Sequence, residues 1–213
     1  MQALASRRAA LATAAALLAR AALPLRASGF AKASALAGLG LAPGLRVHAA
    51  DAVDASAPPA EVSAALPGAR LLGSGRLRFL GLAIYDSRLW APSGFAAASY
   101  AQRPFALELN YLRSLSGKLI AERSLKEMRR QGSLSAQQEQ AWLQAMLQAF
   151  PDVNAGDRIT GVHTPGTGAR FWFNGQLRAS IPDADFSRVF FGIWLSEATS
   201  EPQLRLGLLG QAA

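Results

Sequence analysis

Residues 169–181 read ARFWFNGQLRASI, and they give the strongest structural signal in the chain. Asn174-Gly175 suits the positive φ values that a two-residue type I′ turn requires, and a strand-like run flanks it on each side. A further strand is predicted over residues 158–164, between two turn clusters. Together these segments predict a three-stranded antiparallel meander.

Two more strands are predicted before the meander. Residues 76–90, RLRFLGLAIYDSRLW, are apolar on both faces, which indicates a long central strand that is buried on both sides and bent at Gly81. Residues 105–111 alternate more strictly and place Glu108 and Asn110 on a wetter face.

Helices are predicted between and after the strands. Apolar residues recur at a helical period over 116–130, and Ser135 and Gln138 have the spacing of a capping box for a helix over 136–149. Further helices follow Asp183 and Pro202. Four side chains of the second helix are expected to face inward: Trp142, Leu143, Met146 and Leu147. The order of elements predicts an α+β fold with helices packed on an antiparallel sheet.

The first 50 residues have the composition of a leader. They contain six basic residues and no acidic one, and no apolar run reaches the roughly 20 residues that span a bilayer. Either of two apolar stretches, 9–19 or 33–45, suits the h-region of an export signal, and small residues predict cleavage near Ala49 or Ala50. The general secretory and twin-arginine routes both stay open, and the alternative is a transit peptide or a basic surface helix. We expect a periplasmic protein.

Charge outside the leader is balanced. The formal net charge is +8, but residues 51–213 carry 16 basic against 14 acidic residues, a net of +2. A nearly neutral body has no electrostatic reason to bind nucleic acid, so we exclude that partner. The Ala, Ser, Pro and acidic composition of residues 51–67 predicts a flexible linker. The folded domain is expected over 68–213, without a transmembrane segment.

Residues that carry chemistry are scarce after the leader. His163 is the one histidine there and the chain has no cysteine, so a metal site of His and Cys ligands is excluded, and we expect no cofactor. His163 is interpreted as a surface or turn residue, and the glycines at 73–75 and 166–168 as turns. Asp183 and Asp185 are interpreted as helix-capping residues. This chemistry alone names no enzyme class.

Four segments in succession nevertheless carry a resemblance. They are RFLGLAIYDSRLW (78–90), LNYLRSLSGKLIAERSLKEM (109–128), AGDRITGVHTPGTGARFWFNG (155–175) and FFGIWLSEATSEPQLRLGLLG (190–210). In this order they resemble the chalcone isomerase-like family, in particular its bacterial exported branch. The resemblance implies an open-faced sandwich, in which helices cover one face of a long antiparallel sheet and a ligand cleft lies between the two layers.

The resemblance also bears on catalysis. Chalcone isomerases close a flavanone ring without a cofactor, and they use an arginine on an early strand, threonine and tyrosine hydroxyls, and an asparagine. Neither Arg70 nor Arg76 meets the arginine position without a gap. The other family positions fall on Leu80, Ile120, Glu127 and Ile193. Loss of one such donor removes a few kcal/mol of transition-state stabilisation, so the resemblance implies little isomerase activity.

Three functions remain open. The first is an exported, cofactor-free binding protein whose cleft takes a small amphipathic or fatty acid-like ligand, as in the fatty acid-binding branch of the family. Its ligand-binding residues are expected to be Arg70, Tyr85, Tyr111 and Arg113. The second is an isomerase or intramolecular lyase with a rearranged site. The third is a structural or assembly factor of the cell envelope, which a cleft filled by the protein's own Phe and Trp side chains would favour. The sequence names no protein partner.

Overall fold

The structure of the protein, a computed structural model, describes residues 57–211. The predicted leader, with its cleavage near Ala49 or Ala50, lies outside the described residues. None of the helices in the described part of the chain is long and apolar enough to cross a membrane. In chain order the elements are α1 (Ala60–Ala65), β1 (Arg70–Phe79), β2 (Leu82–Ala91), β3 (Phe105–Tyr111), α2 (Gly117–Met128), α3 (Ala136–Ala149), β4 (Arg158–Thr164), β5 (Gly168–Phe173), β6 (Gln176–Ile181), α4 (Ala184–Leu195) and α5 (Pro202–Leu208).

The six strands form one antiparallel sheet in chain order, from β1 at one edge to β6 at the other. The turn between β5 and β6 is the predicted one, because Asn174 and Gly175 have φ values of 48° and 82°. The strand over 158–164 is confirmed as β4, which pairs with β3 and β5. The predicted α+β class, with an open antiparallel sheet, is confirmed.

The segment predicted as one long central strand is instead a hairpin. β1 and β2 pair from Arg70 opposite Ala91 to Phe79 opposite Leu82, and Leu80 and Gly81 form the turn with φ values of 50° and 80°. β1 is an edge strand, and Leu80 is 79% exposed. A strand with apolar residues on both faces is buried on both sides only where other elements pack on each face of the sheet. The prediction was wrong because, within the described residues, the tip of this hairpin is not covered on both faces.

The glycines at 73–75 lie within β1, not in the turn that was predicted. α5 packs directly on this strand, since a Cβ at Gly73 would collide with the carbonyl oxygen of Gly207. A Cβ at Gly75 would lie 2.6 Å from Cδ1 of Leu204. Glycine is therefore needed here for close approach of a helix to a strand.

Helices α2, α3 and α4 cover one face of the sheet and enclose the main core. The predicted capping box of α3 is confirmed, and Asp183 caps α4 by accepting the N–H of Phe186 at 2.8 Å. Trp142 and Met146 of α3 are buried as predicted, but Leu147 is exposed. Leu147 lies roughly 140° around the helix from Trp142, which places it outside the contact stripe.

A smaller core lies on the opposite face, under α1. Val62 and Leu66 are buried there against Trp90 and Val162 of the sheet. The prediction of a flexible linker through residue 67 was therefore wrong for the residues of α1. Its composition is polar and small, but two well-placed apolar side chains are enough to dock one short helix. Residues 51–56 of that linker lie outside the described residues.

Candidate functional site

The space between the sheet and α4 is apolar and almost filled. Its free volume is about 20 Å³, whereas sites for small molecules occupy roughly 300–1,000 Å³. We call it the sheet-helix space, and its lining residues are Leu107, Leu109, Ile159, Gly161, Phe171, Phe190, Phe191 and Trp194. A fatty acid fits between these layers only if some lining side chains move.

Aromatic side chains fill most of this space. Phe190 of α4 meets Phe171 of β5 edge to face, with ring centroids 5.2 Å apart. Gly161 of β4 makes room for these rings, since a Cβ there would lie 3.0 Å from Cζ of Phe191 and 3.1 Å from Cε1 of Phe171. The absence of a side chain at Gly161 therefore allows two phenylalanine rings to pack on the backbone of β4.

Two of the four predicted ligand-binding residues meet at one end of the space. Tyr85 of β2 and Tyr111 of β3 are paired in register, and their ring centroids are 5.8 Å apart. Trp194, which lines the space, donates its Nε1–H to the Tyr85 hydroxyl at 2.9 Å. Burial raises the pKa of Tyr85 and of Tyr111 well above the ordinary tyrosine value. Both hydroxyls therefore stay protonated and are available as neutral donors.

Of the two predicted arginines, Arg70 lies far from this tyrosine pair, and Arg113 follows Tyr111 closely in the chain. Arg70 is opposite Ala91, six residues along β2 from Tyr85, which corresponds to about 20 Å at the usual rise per residue. Arg113 follows Tyr111 by two residues, in the loop before α2, and is half-buried. Among the described residues, neither arginine forms a salt bridge. The structure thus brings Tyr85 and Tyr111 together and leaves Arg70 at the other end of its hairpin.

The positions aligned with isomerase catalytic hydroxyls offer none here. Leu80 lies in the exposed turn, while Ile120 and Ile193 pack against the core. Glu127 is buried and is paired with Arg123, whose guanidinium lies 2.8 Å from its Oε1. Its Oε2 is buried without a hydrogen-bond partner among the described residues.

His163 lies inside the fold, so its interpretation as a surface or turn residue was wrong. β4 is flanked by strands on both sides and covered by α4, which leaves this side chain 1% exposed. Its Nε2 lies 3.0 Å from the carbonyl oxygen of Ala101 and its Nδ1 2.7 Å from Oγ of Ser187. Because a carbonyl only accepts, Nε2 carries a proton. Burial lowers the pKa of His163, and the bond to Ala101 partly opposes that shift.

A larger cavity that the sequence analysis missed opens on the opposite face of the sheet. It has a volume of about 460 Å³ and lies between the segment entering α1 and the strands. Its charged lining residues are Glu61, Arg88, Glu108 and Arg158. The one available signal was Glu108, which was predicted on a wetter face, but its side chain is in fact only 2% exposed. The other three residues lie far apart in sequence, and only the sheet register and the docking of α1 bring them together.

Comparison with known proteins agrees with this architecture. A model of the chalcone isomerase-like family matches residues 64–210. No curated protein matches the sequence significantly. The fold is similar to the crystal structure of a fatty-acid binding protein from Arabidopsis thaliana, with a TM-score of 0.52 and 16% identity over 67% of this chain and 87% of that one. The chain therefore belongs to the chalcone isomerase-like family.

Proposed function

We propose that the protein is an exported, non-catalytic and cofactor-free binding protein that takes a fatty acid or a similar amphipathic acid between its sheet and α4. The observation that carries the proposal is the make-up of the sheet-helix space. Its lining is apolar throughout, while at one end Trp194 donates to the buried hydroxyl of Tyr85, whose ring packs against that of Tyr111. An acyl chain matches the lining, and a carboxylate matches the hydroxyl donors.

The polar end suggests how such a ligand would be oriented. Both tyrosines remain neutral donors, because burial raises their pKa. A ligand carboxylate at this end would accept hydrogen bonds from the two tyrosine O–H groups, while Trp194 keeps donating to the Tyr85 oxygen. Arg113, in the loop after Tyr111, is the nearest of the predicted arginines in the sequence and supplies the counter-charge in this proposal. Arg70 has no part in it.

Binding requires the space to open. Its volume of about 20 Å³ is far below the roughly 300 Å³ at the lower end of small-molecule sites. Phe190, Phe191 and Trp194 all lie on α4, so a shift of one helix, or new rotamers of its aromatic side chains, would enlarge the space. The solved fatty-acid binding protein has the same fold, which supports an acyl ligand for this architecture.

The non-catalytic part of the proposal rests on missing donors. Leu80, Ile120 and Ile193 stand where family enzymes have hydroxyl groups, and Leu80 is in a turn exposed to solvent. Loss of one transition-state hydrogen bond usually costs about 3 kcal/mol, so loss of several leaves little of the family reaction. An isomerase or intramolecular lyase with a rearranged site around an arginine and a tyrosine, Arg113 and Tyr111, is the competing outcome. It is tested by assaying flavonoid ring closure with the wild type and with Tyr111→Phe.

The export part rests on the leader sequence. The first 50 residues combine basic residues, apolar stretches and a small-residue segment, and they contain no acid. Expression of the full chain in a bacterium, followed by intact mass measurement of the periplasmic fraction, tests this. A mature chain that begins near Asp51 is expected. A full-length chain that stays in the cytoplasm would overturn the export proposal.

Ligand binding is tested with palmitate and two tyrosine variants. We expect palmitate to raise the thermal midpoint of the wild type and Tyr85→Phe to weaken binding at least about tenfold, the worth of one hydrogen bond to a charged group. Tyr100→Phe is the matched control, because Tyr100 donates to the carbonyl of Arg188 and does not line the space. No stabilisation by palmitate, or equal losses in both variants, would reject the proposed site.

A second candidate function is favoured by one observation. The sheet-helix space is filled by the protein's own Phe and Trp side chains, as expected for a structural or assembly factor of the cell envelope that binds no small molecule there. An unchanged mass after incubation with fatty acids, together with a stable protein complex recovered by crosslinking in the periplasm, would move the assignment to this function.

A further inference from the structure

The cavity on the face opposite α2, α3 and α4, here called the outer cavity, has the size of a ligand site. Its volume of about 460 Å³ falls within the roughly 300–1,000 Å³ of small-molecule sites. One wall is apolar and comes from the segment entering α1: Ala57, Pro58, Pro59 and Ala60. The floor and the other walls are polar and charged, and they come from β2, β3, β4 and the turn before β6.

The sheet register explains how the charged groups meet. Arg88, Glu108 and Thr160 lie opposite one another on three neighbouring strands. Arg158 is two residues from Thr160 on β4 and therefore points to the same face. Glu61 reaches them from α1, where Val62 and Leu66 hold the helix on the sheet. The fold thus fixes the backbone positions from which these side chains enter the cavity.

The two carboxylates of the outer cavity accept hydrogen bonds from neighbouring side chains. Glu108 accepts the Nε1–H of Trp90 at 2.8 Å on one oxygen and the amide of Asn110 at 2.9 Å on the other. On Glu61, Oε1 accepts both from Arg158 at 2.8 Å and from the Thr160 hydroxyl at 2.9 Å. Both carboxylates are thus already engaged by donors of the protein itself.

The two guanidinium groups, by contrast, have donors to spare. Arg88 lies 3.8 Å from Oε1 of Glu108, which is too long for a hydrogen bond, and its side chain makes no other polar contact within residues 57–211. Arg158 uses one terminal nitrogen on Glu61, while its Nε is buried without an acceptor among the described residues. A buried donor without an acceptor destabilises the fold, and an acceptor on a ligand would pair with it.

We propose that the outer cavity binds a small organic acid. Its carboxylate accepts N–H bonds from Arg88 and Arg158, and its compact apolar body packs against Pro58 and Pro59. The planar guanidinium matches a carboxylate in geometry, since two parallel hydrogen bonds can form. A singly charged ligand is favoured over a doubly charged phosphate, because two buried glutamates offset the two arginines that line the site.

The test uses benzoate as the probe and its neutral isostere benzamide as the ligand control. Full-length protein with ¹⁵N-labelled arginine is titrated while the Nε–H resonances are followed. Benzoate is expected to shift the Arg88 and Arg158 resonances saturably, and benzamide to leave them in place. Arg88→Gln should weaken benzoate binding at least about tenfold, the usual worth of one charge-assisted hydrogen bond.

Two further variants separate the site from the fold. Arg158→Lys keeps the positive charge beside Glu61 but removes the buried Nε–H, and it should also weaken benzoate binding about tenfold. Arg178→Gln on exposed β6 should leave benzoate binding unchanged. The inference is overturned if benzoate moves neither resonance, if Arg88→Gln binds as the wild type does, or if inorganic phosphate binds as tightly as benzoate.

Discussion

Trp194 on α4 donates its indole N–H to the hydroxyl of Tyr85 on β2 across 2.9 Å, and both side chains are buried. This bond ties the helix layer to the sheet at the polar end of the sheet-helix space. It satisfies two polar groups that would otherwise lie unpaired in an apolar core. The Tyr85 hydroxyl that accepts this bond keeps its own proton for a ligand head group, so one side chain links the stability of the fold to the proposed function.

Removal of the donor should destabilise the protein. Trp194→Phe leaves the Tyr85 hydroxyl buried without its donor, and we expect a loss of about 1–3 kcal/mol in the free energy of unfolding, measured by urea denaturation. Trp172→Phe is the matched control, because the Trp172 indole makes no hydrogen bond within the described residues and packs under Arg170. In a protein that already carries Tyr85→Phe, the Trp194→Phe substitution should lower the free energy of unfolding by measurably less. Additive losses in the double variant would contradict a direct bond.

The two hairpins of the sheet give an internal comparison. Leu80-Gly81 and Asn174-Gly175 have nearly the same φ values, 50° and 80° against 48° and 82°. A leucine in this left-handed region costs about 1–2 kcal/mol of conformational free energy, whereas asparagine adopts this conformation more readily. Leu80→Asn should therefore stabilise the protein by roughly 1 kcal/mol in chemical denaturation, and Asn174→Leu should destabilise it. A destabilising Leu80→Asn would show that the exposed leucine makes a contact worth more than the strain.

The same pair of turns shows what the sequence makes visible. Asn174-Gly175 is a recognised turn signal, so β5 and β6 were predicted within one residue of their observed bounds. Leu80-Gly81 has the same conformation without the asparagine, so two strands were predicted as one. The α2 and α3 helices were predicted correctly because capping residues and a helical period mark them locally.

The sites were less visible than the fold. Tyr85 and Tyr111 were selected from their strands, and the sheet does pair them. The sequence did not show that Arg70 lies far from these tyrosines, because the β1–β2 hairpin, which places Arg70 opposite Ala91, was not predicted. The outer cavity depends on strand register and on a helix in a segment of linker-like composition, and no local pattern encodes either.

Acidification should weaken the fold through His163. Burial lowers the pKa of this histidine in the folded protein, so the unfolded chain takes up a proton first as the pH falls. The free energy of unfolding should therefore decrease as the pH drops below about 6.5, the ordinary histidine pKa. Above that pH the stabilising contribution of neutral His163 is fully present. His163→Gln should flatten this dependence, measured as thermal midpoints between neutral and mildly acidic pH. An unchanged slope in that variant would assign the effect to other groups.

Enlargement of the sheet-helix space should strengthen acyl binding. Phe190→Ala removes a ring that lines the space and should cost about 3–5 kcal/mol of stability. Phe186→Ala is the matched control, since Phe186 is buried on the same helix but does not line the space. Palmitate should raise the thermal midpoint of Phe190→Ala more than that of Phe186→Ala. Equal responses would mean that the added volume is not where the acyl chain binds.

The most direct measurement is native mass spectrometry, with solvent extraction, of the protein recovered from the periplasm after expression of the full chain. The account predicts a stoichiometric fatty acid or related amphipathic acid that extraction removes, and a mass that Tyr85→Phe shifts toward the ligand-free form. A ligand-free mass that persists after incubation with medium- and long-chain fatty acids would contradict the binding function.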